Sequence, residues 1–196
     1  MKDTSEAKKS TPTAKTVKKP RKITQDYLEN AGKFYLEKFP ASVEHFKLVM
    51  TRKIRKSCLA HPEQNPAQCA LLLDAVAEKF VRLGFLDDQA LTRGLLTSYR
   101  TRGWSQRKIK ATLAMKGLSA DIIEDYMSAQ SESESSDLTA AVRWARKKRM
   151  GCFASGDPKP DKWLSSLGRA GFDYGTARRA LTMLREEADA ILREAD

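Results

Sequence analysis

Cys58, His61 and Cys69 are the closest this sequence comes to a metal or nucleophile cluster. Thiolate and imidazole ligands of this kind suit zinc, but a fourth ligand would have to be the distant Cys152 or a carboxylate. The spacing matches no usual pairing of close ligands, so Cys69 is read as a small core residue and no metal is expected. His45 is predicted mid-helix on a polar, solvent-exposed face. Asp87-Asp88 has the form of a paired-carboxylate site, yet no second acidic cluster converges on it in sequence. Capping accounts for the pair, because negative charge is favourable at a helix N-terminus. Neither a glycine-rich phosphate loop nor a nucleophile elbow is present. The expectation is a protein that is not an enzyme, with no cofactor and no small-molecule substrate.

The cationic residues carry a sharper signal. Between Gln89 and Ala120 stand Arg93, Arg100, Arg102, Arg107, Lys108, Lys110 and Lys116, with no acidic residue among them. Arg93 and Arg100 are seven apart, on one helix face opposite Leu91, Leu95 and Tyr99. Arg107 and Lys110 share a face of the next helix, away from Ile109 and Leu113. Two helices joined near Gly103 would present one continuous positive stripe. A second cluster, Arg143, Arg146, Lys147, Lys148 and Arg149, crowds a helix C-terminus, where the dipole accounts for part of it. With a formal charge of +11, the chain suits a polyanionic partner, nucleic acid or an acidic protein surface. Trp104, Trp144 and Trp163 are candidate stacking platforms for bases. Core packing is favoured for Trp163, and Trp104 fits either role.

Helices must position these groups. A length of 196 residues predicts one domain or a short chain of small modules. No apolar run approaches the roughly 18 residues of a membrane span, and no secretory signal is evident. Three cysteines fit a reducing cytosol, so a cytoplasmic location is expected. Residues 1–23 are Lys-rich and polar and are predicted to form a disordered basic arm. From there the apolar spacing is helical throughout, without sustained alternation, so the fold class is all-α. Leu28, Ala31, Tyr35 and Phe39 form the first stripe, opened by Asp26 with Glu29 three residues on and ended by Pro40. Ser42 caps a second helix carrying Phe46, Met50 and Ile54, and Pro66 opens a third lined by Leu72, Val76, Phe80 and Leu83.

Gly84-Phe85, Gly117-Leu118 and Gly171-Phe172 then recur, each after a helix and each followed by a capping residue. A left-handed glycine followed by an apolar residue closes a helix and returns the chain to its core. Ile109, Leu113, Gly117, Leu118, Ile123 and Met127 lie over Trp163, Leu167, Gly171, Phe172, Ala177 and Leu181 at identical spacing. The spacing predicts three three-helix modules, over 24–86, 87–130 and 131–196, the last with an acidic end. Packed end to end they make an elongated, curved rod, with a hinge at the Ser-Glu-rich run from Ser131.

The stretch Gly84 to Tyr126, GFLDDQALTRGLLTSYRTRGWSQRKIKATLAMKGLSADIIEDY, resembles the central block of RecX, the bacterial regulator of the RecA recombinase. The Gly-Phe-Leu-Asp-Asp entry, Tyr99 before basic residues, the Gly103-Trp104 turn and Lys116-Gly117-Leu118 carry the likeness. The first module departs from it, with Glu44-His45-Phe46-Lys47 in place of a more regular acidic-Leu-basic signature, and the loops at 58–66 and 151–162 are long. The resemblance implies a monomeric, non-enzymatic protein of tandem three-helix modules. Such a protein lies in the groove of the RecA–DNA filament and suppresses its ATPase, strand exchange and SOS-type coprotease activity. Single-stranded DNA is then met directly or through RecA. The alternative is a helical module acting on DNA independently of RecA.

Overall fold

The computed structural model describes residues 19–128 and 135–194, and among these it contains ten α-helices and no strand. The first module comprises α1 (Gln25–Leu36), α2 (Val43–Ala60) and α3 (Pro66–Arg82). The second comprises α4 (Asp88–Thr101), α5 (Gln106–Met115) and α6 (Ala120–Ser128). The third holds α7 (Ser135–Lys148), a 3-10 turn at Gly151–Phe153, α8 (Pro160–Arg169), α9 (Tyr174–Thr182) and α10 (Arg185–Glu194). Each module has its own cluster of buried side chains, as an all-α repeat requires when no single unit has chain enough for a large core.

Local signals explain most element boundaries. Ser42, Asn65, Asp87, Ser105 and Asp173 each cap the helix that follows, accepting from a backbone N–H inside it. Gly84, Gly117 and Gly171 are all left-handed, with φ of 74°, 79° and 96°. After Gly117 and Gly171 the next residue is buried, but after Gly84 the chain seats Leu86 and leaves Phe85 about half exposed.

The first module corrects four sequence-based assignments. The cap of α1 is Thr24, whose hydroxyl accepts from the Tyr27 N–H at 3.2 Å, and Asp26 lies inside the first turn. The helix ends at Leu36, so Phe39 falls outside it and is 56% exposed. Gly32 takes the place at the core, because α1 passes so close to α3 that a Cβ there would lie 2.7 Å from the Phe80 ring. On α3 the buried stripe is Cys69, Leu73, Val76, Ala77 and Phe80, one position away from the expected Leu72, and Leu83 is exposed beyond the last turn.

The ordered chain also starts before residue 24. Ile23 is buried, its N–H donating to Gln64 Oε1, and the Ser57 hydroxyl donates to the Arg21 carbonyl at 2.8 Å. Residues 19–23 are thus strapped across the C-terminal end of α2, while the rest of the expected arm lies outside the described residues. The expected hinge at Ser131 likewise falls mainly outside them. The third module has a fourth helix where three were expected. Within the charged run of α10, Ala188 and Leu192 are buried in the core at a four-residue spacing.

Candidate partner and nucleic-acid interface

The modules meet through a joint that occurs twice. In the first joint the buried Ser42 hydroxyl accepts from the His45 N–H and donates to the Lys116 carbonyl at the end of α5. Asp88, in the first turn of α4, accepts from the Val43 N–H at 3.0 Å. In the second joint the buried Ser105 caps α5, and its N–H donates to the Ala170 carbonyl at the end of α8. Asp137, in the first turn of α7, accepts from the Gln106 N–H at 2.8 Å. The first N–H groups of a helix have no partner within it, and here the following module supplies one. In each joint the glycine closing the next module's second helix rests against the capping serine. A Cβ on Gly117 would stand 3.0 Å from Ser42 Oγ, and one on Gly171 only 2.3 Å from Ser105 Oγ.

Asp87-Asp88 is therefore a pair with divided labour: Asp87 caps its own helix and Asp88 the neighbouring module's. Burial pushes the Asp88 carboxyl above the usual range, against the stabilising Val43 N–H, and the charges of Asp87 and Glu44 add to the rise. The folded protein thus takes up this proton more readily than the unfolded chain, so ionised Asp88 costs stability above its folded pKa. Asp88→Asn keeps the acceptor without the charge. It should be at least as stable as the parent at neutral pH, with an advantage that fades as pH falls through the folded pKa. Asp88→Ala loses the acceptor and should cost about 0.5–2 kcal/mol. Denaturant titrations at several pH values check both; an Asn variant as damaged as the Ala variant would refute the role given to the charge.

His45 stands in the first turn of α2, not mid-helix, and is half-buried. With Ala41, Leu91, Leu95, Met115 and Lys116 it lines a cleft of about 270 Å³ between the first two modules. His61 holds the strap, its Nε2 lying 2.8 Å from the Pro20 carbonyl. The neighbouring Glu63 carboxyl is held down at about 2, chiefly by its hydrogen bond from Lys22. Cys58 is half-buried and Cys69 buried, and burial raises the Cys69 thiol. Among the described residues no group of three His, Cys, Asp or Glu side chains is arranged to hold a metal ion.

The expected continuous stripe is divided by the second joint. Arg100 is half-buried there, its pKa lowered by desolvation and supported by the charge of Asp137. Asp137 in turn is raised by desolvation and by Asp173, and steadied by the Gln106 N–H, Arg100 and Arg107. Lys108 is half-buried as well, its ammonium donating to the Arg169 carbonyl at 3.2 Å and lying 4.5 Å from the Trp104 ring centre. Tyr99 stacks on Trp104 with ring centres 4.4 Å apart. Half-buried and already engaged by these two side chains, Trp104 is not a free stacking platform for a base. Trp144 is half-buried and donates to the Ser166 hydroxyl, and Trp163 packs against the third core.

The other expected site residues differ in how free they are. Arg93, Arg102, Arg107, Lys110 and Lys116 are exposed on the second module. Lys110 is paired with Glu124 of α6, Arg93 lies over Tyr126 and Arg102 over Tyr99. On α7, Arg143 is half-buried while Arg146 and Lys147 are exposed in the last turn. Sequence reasoning passed over α2. Between Glu44 and Glu63 there is no acidic residue, and Lys47, Arg52, Lys53, Arg55 and Lys56 fall within that run. The acid-free spacing that singled out the second module would have found it.

Residues 87–127 match the family model for the second three-helix domain of RecX. Over 168 residues the chain is 33% identical to the regulatory protein RecX of Myxococcus xanthus strain DK1622, covering 84% of this chain and 89% of that one. It is 25% identical over 172 residues to the regulatory protein RecX of Agrobacterium fabrum, covering 86% and 89%. A crystal structure of RecX from Lactobacillus salivarius shares the fold, with a TM-score of 0.56 at 17% identity over 85% of this chain and 97% of the other. No helix among the described residues is long and apolar enough to cross a membrane.

Proposed function

This chain belongs to the RecX family, and from that premise we propose that it binds the RecA–DNA filament and inhibits RecA-dependent ATP hydrolysis, strand exchange and coprotease signalling. It does so without catalysis of its own, as a monomer in the cytoplasm. The observation that carries the reading is a match to a regulatory protein across nearly the whole chain, three modules together. The repeated joint supports it, since modules linked in one direction by the same contacts suit an extended groove. The exposed Arg93, Arg102, Arg107, Lys116, Arg146 and Lys147 are offered as groups that meet the filament, through RecA carboxylates or phosphate. Arg100 and Lys108, both half-buried at the second joint, act mainly by holding the modules in place, and Arg143 is half-buried on α7.

Sub-stoichiometric amounts should lower the steady-state rate of RecA ATP hydrolysis on single-stranded DNA, because blocking filament growth acts on many subunits at once. RecA from the same organism is the proper partner for a coupled ATPase assay. An unchanged rate at equimolar protein would count against the reading, and activation would keep the partner while reversing the sign. Binding to preformed filaments should also saturate in the presence of excess free DNA. Loss in proportion to added phosphate would favour action on DNA alone.

A further inference from the structure

We propose that the outer face of α2 in the first module is a binding surface for the phosphate backbone of nucleic acid. Arg52, Lys53, Arg55 and Lys56 are all exposed, and none has an ion-pair or hydrogen-bond partner among the described residues. Lys47, one turn earlier, shows what a satisfied cation looks like on this helix, since it pairs with Asp74 at 2.9 Å. Helical spacing puts Arg52 and Arg55 on the ridge opposite the buried Phe46, Met50 and Ile54, with Lys56 beside them. That buried face is packed against α3, so the cations stand on a rigid element.

The strap extends the same surface. Because the Ser57 hydroxyl holds the Arg21 carbonyl, the exposed Lys19 and Arg21 are fixed beside the C-terminal end of α2. The C-terminal end of a helix favours cations, but α2 has no basic residue in its last turn, so dipole compensation does not account for the cluster. On the second module, by contrast, Arg100 and Lys108 are drawn into the joint and Lys110 is paired. The greater share of uncompensated charge on one helix therefore lies on the first module.

A regular polyanion is the complementary ligand, because each long cationic side chain can neutralise one phosphate and release its counterion. Recognition of this kind is independent of base sequence and of RecA. The test is a fluorescence titration of a labelled single-stranded oligothymidylate with the full chain across a range of salt, without RecA. The triple variant Arg52→Ala/Arg55→Ala/Lys56→Ala should flatten the log–log salt dependence by roughly 2 and weaken binding roughly 10–100-fold at about 0.1 M salt. The matched triple Arg93→Ala/Arg102→Ala/Arg107→Ala, with the same loss of charge, should do less. Unchanged circular dichroism melting of both variants separates lost contacts from lost fold. Equal losses from the two triples would assign binding to overall charge and overturn the proposal. So would an α2 variant that binds the oligothymidylate like the parent. If that variant lost only filament binding, the face would be a contact for acidic protein instead.

Discussion

Gly171→Ala should destabilise the junction of the second and third modules by about 2–6 kcal/mol. Two penalties combine. A left-handed backbone at φ 96° admits alanine only with strain, typically about 1–3 kcal/mol. The new methyl would also stand 2.3 Å from Ser105 Oγ and 2.7 Å from Lys108 Cβ, and overpacking costs about 1–3 kcal/mol more. Both neighbours belong to the other module, so the modules separate or the closing turn of α8 gives way. Gly168→Ala is the control three residues earlier, inside the helix with nothing within 4 Å of the added carbon. It should stabilise by roughly 0.5–1 kcal/mol, since a helical glycine costs about that much relative to alanine. Ser105→Gly in the Gly171→Ala background should restore part of the loss, because it removes the closest contact. Equilibrium unfolding in urea reads all three, and a Gly171→Ala midpoint equal to that of the parent would sink the account of the joint.

Phe46→Ala should cost about 3–5 kcal/mol. The ring is fully buried, packs 5.5 Å centre to centre from Phe80, and fills the space under Gly32 where α1 crosses. Truncation leaves a void that Gly32, with no side chain, does nothing to fill. Phe39→Ala is the comparison that separates burial from residue type. Phe39 is 56% exposed beyond the end of α1, so its loss should change stability by less than about 0.5 kcal/mol. Comparable losses at the two sites would mean that Phe39 is part of the core after all. Thermal unfolding followed by circular dichroism resolves the difference easily.

Phe39 was misplaced for a reason that applies to other elements. It continues the three- and four-residue rhythm of Leu28, Ala31 and Tyr35, and rhythm alone does not say where a helix stops. The helix stops at Leu36, and the core beside it is filled from α2 and α3 by Phe46 and Phe80. The same limit hid α10, where two buried apolar residues sit inside a run that reads as a charged tail. Ile23 was hidden because its burial depends on Gln64 and Ser57, contacts made across 36 to 41 residues.

The order of residues alone specified the all-α class, the repeat of the second module in the third, and most of the helix ends. Those features rest on capping residues, left-handed glycines and apolar periodicity, all set by residues within one or two turns of each other. It also determined that the chain carries excess positive charge and lacks a familiar catalytic motif. Which cations remain in solvent depends instead on how the modules pack. Arg100 faces Asp137 and Lys108 reaches Arg169, 61 residues away, so the stripe along α4 and α5 is broken where the modules join. Arg52, Lys53, Arg55 and Lys56 meet no such neighbour and keep their charge in water. Charge is a property of a residue, but its availability depends on what the fold brings against it, because desolvation and pairing act through space.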